Sequence, residues 1–229
     1  FQYTKTPHIY DPDVRFKIER FIVPSLLKSD LDGRKPDETV FWFPFDHKDK
    51  TPDESFEDIL LKLKALDHPV LFLSNLKRVS FEADGVTGMY TKAVEESSQH
   101  GDITLQRLAL SLEVDGTVTT DRLLTFARSS DDRRSYSVGY ALDANGKLKP
   151  VDRPAFCFFP TKEVTNLKFI VHGPFLLTDS REGIKAGEKH NHELVQQLAQ
   201  LAAECLPMLR DKGLIDDGLF DIIPYDDSK

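Results

Sequence analysis

The sequence predicts a mixed α/β protein of the α+β kind, with a mostly antiparallel sheet and a long C-terminal helix. Three observations carry this. From Lys77 to about residue 150, apolar and polar residues alternate at period two, broken by Asp-Gly and Asn-Gly pairs. From about Asn191 the period changes, and Leu194, Val195, Leu198, Leu201, Ala202, Cys205, Leu206 and Leu209 form one broad helical stripe. Short, heavily apolar runs stand elsewhere and read as buried strands.

Taken in order, Val14, Phe16 and Ile18 alternate with Arg15, Lys17 and Glu19, which gives a strand with one wet face. "FIVPSLL" continues it to a proline. "KSDLDGRKPDE" is a polar loop. "TVFWFPF" is apolar on both faces and reads as a central strand ended by Pro44. "FDHKDK" is a charged connection. Thr51, Pro52 and Glu54 then supply an N-cap, a first-turn proline and a capping-box acid. Phe56, Ile59, Leu60, Leu63 and Leu66 follow at helical spacing. "HPVLFLSNL" is short and apolar, and reads as a buried hinge between two halves.

The period-two region is an antiparallel meander. "KRVSFE" and "VTGMYTKAV" flank a turn at Asp84-Gly85. "RLALSLEV" and "TVTTDRLLTFA" flank Asp115-Gly116, a strong hairpin signal. "SYSVGYALD" leads to a turn at Asn145-Gly146, and "DDRR" at 131–134 reads as a solvated loop tip. "PAFCFFP" and "LKFIVHGPFLL" are two further strands. Pro207 is expected to kink or end the last helix within its final turn.

Composition narrows the function classes. The chain has 229 residues, 40% of them hydrophobic, and a net charge of −8, which argues against nucleic acid or an anionic membrane as a direct partner. No apolar run is long enough to span a bilayer. Cys157 and Cys205 lack metal-ligand spacing and read as buried thiols in a reducing compartment, so a cytoplasmic location is expected. The chain opens in mid-pattern at Phe1, as a piece of a longer protein would.

Most candidate chemistry reduces to structure. His190 and His192 lie two apart and do not share a helix face, so a polar helix start capped by Asn191 is the better reading, and no metal site is expected. His172 reads as a core or interface histidine. Ser180 has no glycine elbow and no base beside it, which excludes a nucleophile. No Gly-rich phosphate loop occurs. Arg181 is different. It sits on a polar turn between an apolar strand and a helix, with Lys185 four residues on and two glycines to let the backbone bend. Such a turn suits a phosphate contact. The plainer alternative is a solvated loop with a local Arg–Glu pair.

"FLLTDSREGIK" followed by a long helix resembles the catalytic loop in the middle domain of the ninety-kilodalton heat-shock chaperone. "FCFFPTKEVTNLKFIVHGPFLL" and "HPVLFLSNLKRVSF" more closely resemble segments of the sacsin-type branch. "DETVFWFPF" resembles the last strand of the GHKL ATPase superfamily, although Glu38 stands where that strand has a glycine. "FQYTKTPHIY" looks like the stretch that follows the superfamily's last glycine-rich ATP motif.

The resemblance implies that residues 1–75 are the C-terminal portion of a Bergerat-type ATP-binding domain and residues 76–229 a middle, transducer-like domain. It implies that Arg181 contacts the γ-phosphate of ATP, with Lys185 as a second catalytic cation where the chaperone has a glutamine. Ser180 and Thr39 become cofactor-binding candidates, Thr39 at the position that helps hold adenine. ATP and Mg are the implied cofactors of the intact protein. None is expected in this chain alone, because the general-base Glu, the Mg-binding Asn and the Asp-x-Gly-x-Gly motif would lie upstream, so the chain alone is expected to be inactive as an ATP hydrolase. The implied partners are the upstream ATP-binding lobe, a client protein and a second copy in a homodimer. The rival expectation is a non-catalytic protein-interaction module from a degenerate ATPase.

Overall fold

The structure is a computed structural model that describes residues 2–4, 23–25, 49–129 and 135–223. The chain divides into two units, Phe1–Glu57 and Asp58–Lys229. In the first unit β1 (Gln2–Thr4) pairs antiparallel with β2 (Val23–Ser25). The strands expected at 14–19 and 39–45, and Thr39 with them, lie outside the described residues, as does the "DDRR" loop.

Helix α1 (Pro52–Lys64) starts as its sequence requires. The Thr51 hydroxyl accepts from the Glu54 N–H at 3.2 Å, and the Glu54 carboxylate accepts from the Thr51 N–H at 2.8 Å. That reciprocal pair is a capping box. None of α1's residues is fully buried.

Among the described residues of the second unit, nine strands form one sheet. They are β3 (Arg78–Ala83), β4 (Val86–His100), β5 (Ile103–Val114), β6 (Thr117–Ser129), β7 (Ser135–Leu142), β8 (Leu148–Lys149), β9 (Pro154–Cys157), β10 (Phe159–Val164) and β11 (Ile170–His172). Eight lie side by side in the order β10-β9-β11-β7-β6-β5-β4-β3, and β8 pairs beside β7. All neighbours are antiparallel except β11 and β9, which pair in parallel at His172 and Phe156. The expected meander is therefore present. Asp84 and Gly85, and again Asp115 and Gly116, both take positive φ, as tight two-residue hairpin turns require.

Two strand expectations need correction. "PAFCFFP" is not one strand. Phe158 takes φ of 64° and folds the chain back, so that Phe159 in β10 faces Cys157 in β9. "LKFIVHGPFLL" keeps regular strand pairing over β11, with one isolated bridge from Leu177 to Ile184, because after Gly173 the chain turns to pass close to the final helix. A Cβ on Gly173 would meet a Leu194 methyl at 2.8 Å, so only glycine lets the chain lie that close.

Helix α2 (Lys189–Asp211) covers one face of the sheet. Leu194, Leu198, Leu201, Cys205 and Leu209 pack there with Phe126, Val138 and Tyr140. The helix runs through Pro207 and ends one turn later. Arg128 pins it to the sheet, pairing with Glu204 and Asp102 at 2.6 Å each. The opposite face carries a smaller cluster of Leu108, Leu110, Leu123, Ala141, Phe156 and Ile170, closed over by Leu71 and Phe72. The "HPVLFLSNL" segment is thus laid against the sheet of the second unit. Among the described residues, no helix is long and apolar enough to cross a membrane.

Candidate functional site

Arg181 sits at the tip of a small loop between β11 and α2. Leu177 bridges Ile184 across its base, and the Lys185 N–H donates to the Leu176 carbonyl at 2.8 Å. Within the loop, the Thr178 N–H donates to the Gly183 carbonyl at 2.9 Å and the Arg181 N–H to the Thr178 carbonyl at 2.8 Å. The hydroxyls of Thr178 and Ser180 lie 3.2 Å apart. The turn is therefore satisfied by its own backbone and hydroxyls.

It is also braced from outside. The Lys162 N–H on β10 donates to the Glu182 carbonyl at 2.5 Å, and the Lys162 ammonium pairs with the Glu182 carboxylate at 2.7 Å. From α2, the Asn191 carboxamide oxygen accepts from the Leu176 N–H at 2.8 Å. Its nitrogen donates to the carbonyls of Leu176 at 3.0 Å and Lys185 at 2.9 Å. This corrects the expectation that Asn191 caps the helix. The N-cap is Glu188, with no side-chain cap bond, and Asn191 is 5% exposed and holds the loop instead. Nothing local in the sequence signals this, since an Asn near a helix start reads as a cap.

Held this way, Arg181 takes φ of 59°, a left-handed conformation that costs a non-glycine residue about 1 kcal/mol. Its side chain is exposed and, among the described residues, has no hydrogen-bond or ion-pair partner. The local Arg–Glu pair of the plainer alternative does not form, because Glu182 is taken by Lys162. Ser180 shares the loop tip with Arg181. Lys185 does not; it lies beyond the Leu177–Ile184 bridge, 3.9 Å from Glu188, on the wall of an apolar groove.

His190 and His172 play structural parts. His190 contacts the Pro174 carbonyl at 3.0 Å. His172 is 2% exposed, stacks on Phe72 with ring centroids 4.2 Å apart, and lies 3.3 Å from the Ser137 hydroxyl. Burial pulls its pKa down to about 4. Among the described residues, no group of three His, Cys, Asp or Glu side chains is placed to hold a metal ion.

No family model, no curated protein and no solved structure matches this chain.

Proposed function

We propose that this chain is part of an ATP-dependent, chaperone-like ATPase of the GHKL type, in which Arg181 contacts the γ-phosphate and couples hydrolysis to a conformational change. One observation carries the reading: an exposed guanidinium without a protein partner, fixed on a loop braced from both β10 and α2. A solvated arginine needs no such bracing. A cation that must meet phosphate oxygens in one geometry does, because preorganised charge needs no rearrangement as the transition state forms.

The planar guanidinium can form two parallel, charge-assisted hydrogen bonds to phosphate oxygens. ATP with Mg, bound by the intact protein, supplies the phosphoryl group that is transferred to water. Arg181 stabilises the charge on that group in transit. Ser180, on the same loop tip, is a neutral donor toward the same anion. Lys185 acts from a separate position as a second cation. Thr39 belongs to the adenine contact, in the ATP-binding lobe that residues 1–75 complete. Because the loop joins strand to helix, the contact also links nucleotide state to the position of α2, which is how a two-state switch is biased.

ATP turnover by the intact protein, wild type against Arg181→Ala, tests this. Turnover is expected to fall at least tenfold while ATP affinity stays within about threefold. Stability should change by less than about 0.5 kcal/mol, since the side chain is exposed and unpaired. Equal turnover by both proteins would reduce Arg181 to a loop residue.

A further inference from the structure

The neck of the Arg181 loop consists of two backbone limbs, Leu176 on the way in and Lys185 on the way out, joined by the bond from the Lys185 N–H to the Leu176 carbonyl. Asn191 holds both limbs at once. Its carboxamide nitrogen carries two donors, and both are used, one on the Leu176 carbonyl at 3.0 Å and one on the Lys185 carbonyl at 2.9 Å. Its oxygen accepts from the Leu176 N–H at 2.8 Å. The side chain is 5% exposed, so little water competes for these bonds.

Asn191 is the third residue of α2. The same end of the helix grips the approach to the neck twice more. The His190 ring lies 3.0 Å from the Pro174 carbonyl, and Leu194 packs so closely on Gly173 that no Cβ fits between them. The anchor on the sheet is of another kind. The Lys162 and Glu182 side chains are 74% and 55% exposed, and an exposed ion pair contributes little. A single backbone bond, from the Lys162 N–H to the Glu182 carbonyl, accompanies it. Breaking the Asn191 contacts would leave buried donors unmade, which costs their full desolvation. A shift of α2 against the sheet therefore breaks the sheet anchor first, and the loop travels with the helix.

We propose that Asn191 is a positioning residue of this site, and that through it the first turn of α2 sets whether the Arg181 guanidinium stands in register with the phosphate. The inference rests on the γ-phosphate reading of Arg181. Asn191 touches no substrate; it acts only through the loop neck. A displacement of α2 becomes a displacement of the arginine, and a misplacement of about 1 Å is enough to cost most of the rate. The helix is thus the regulator and the carboxamide its linkage to the site.

ATP turnover by the intact protein tests this, with wild type, Arg181→Ala, Asn191→Ala and the double variant compared. Asn191→Ala is expected to lose at least tenfold in turnover while ATP affinity stays within about threefold. The double variant should lose no more than Arg181→Ala alone, because the two residues act in series, whereas a merely structural role would multiply the losses. Lys162→Met removes the exposed ion pair alone and should cost about threefold or less. Wild-type turnover by Asn191→Ala, multiplied losses in the double variant, or an equal fall in Lys162→Met would overturn the coupling and leave the Arg181 reading standing. Equal turnover by wild type and Arg181→Ala would overturn both. Should Asn191→Ala fail to fold, amide exchange in the intact wild-type protein decides. The N–H groups of Leu176 and Lys185 are expected to open together with that of His192 in the first turn of α2, and more slowly than that of Lys162. Loop amides that open with Lys162 instead would sink the proposal.

Discussion

The two faces of the sheet are closed in different ways. On one face a regular helix meets the strands mainly with apolar side chains, Leu198, Leu201 and Leu209 among them, with the Arg128–Glu204 ion pair added. On the other an irregular segment lies over a smaller cluster, with Leu71 and Phe72 as its apolar contacts. A helix satisfies its own backbone, so only its side chains need the sheet. An irregular segment must find partners for its N–H and C=O groups. Here they come from the sheet itself. The Lys92 ammonium donates to the carbonyls of Leu71 at 3.1 Å and Leu73 at 2.6 Å. The Tyr90 hydroxyl accepts from the Leu66 N–H and donates to the Leu63 carbonyl. One face is held by apolar burial and a side-chain ion pair, the other by burial plus polar pins on the backbone of its cover.

That contrast can be broken most strongly on the helix face. Leu201→Ala removes a fully buried side chain between two rigid elements and should cost about 3–5 kcal/mol in urea denaturation. Leu71→Ala should cost less, about 2–3 kcal/mol, because an irregular cover can settle into the space. Equal costs would mean that the cover is as rigid as the helix.

The second test is pH, and it concerns only the polar-pinned face. His172 has its pKa lowered from 6.5 to about 4 by burial. Between those values the unfolded chain binds a proton that the folded chain refuses. Stability is therefore full above about pH 6.5 and falls as pH drops toward 4, by up to about 3 kcal/mol. His68 is shifted in the same direction, burial again being the main cause, and adds to the same trend. His172→Phe should flatten most of this slope in denaturation curves measured between pH 7 and 4.5. An unchanged slope would place the proton uptake elsewhere.

Lys92→Met should have the smallest effect, about 1–2 kcal/mol, since it removes two partly buried hydrogen bonds while keeping the aliphatic stem. Its clearer sign should be faster amide exchange confined to Leu71 and Leu73, whose N–H groups close turns within the cover. Exchange that rises equally across α2 would show the two faces to be one cooperative unit.

The same contrast explains what could be read in advance. Features made by neighbours in sequence were legible. The capping box at Thr51, the turns at Asp84-Gly85 and Asp115-Gly116, and the alternation from β3 to β7 all arise from contacts within a few residues. The Arg181 turn was visible as a turn for the same reason. Its bracing was not, because Asn191 and Lys162 reach it from elements 10 and 19 positions away in sequence. The stripe on α2 was legible as apolar but not as divided: Leu194, Leu198 and Leu201 are buried against the sheet, whereas Val195 stays 56% exposed.

By itself the sequence determined the alternating strands of the meander, the turns at Asp84-Gly85 and Asp115-Gly116 and the start of α1, since period, capping and left-handed turn residues act locally. Only the tertiary structure decided that Phe158 breaks a strand in two, that Asn191 serves a loop rather than a helix end, and that an irregular segment covers the second sheet face. Those outcomes depend on which distant surfaces meet, and a long-range contact leaves no period in the chain that makes it.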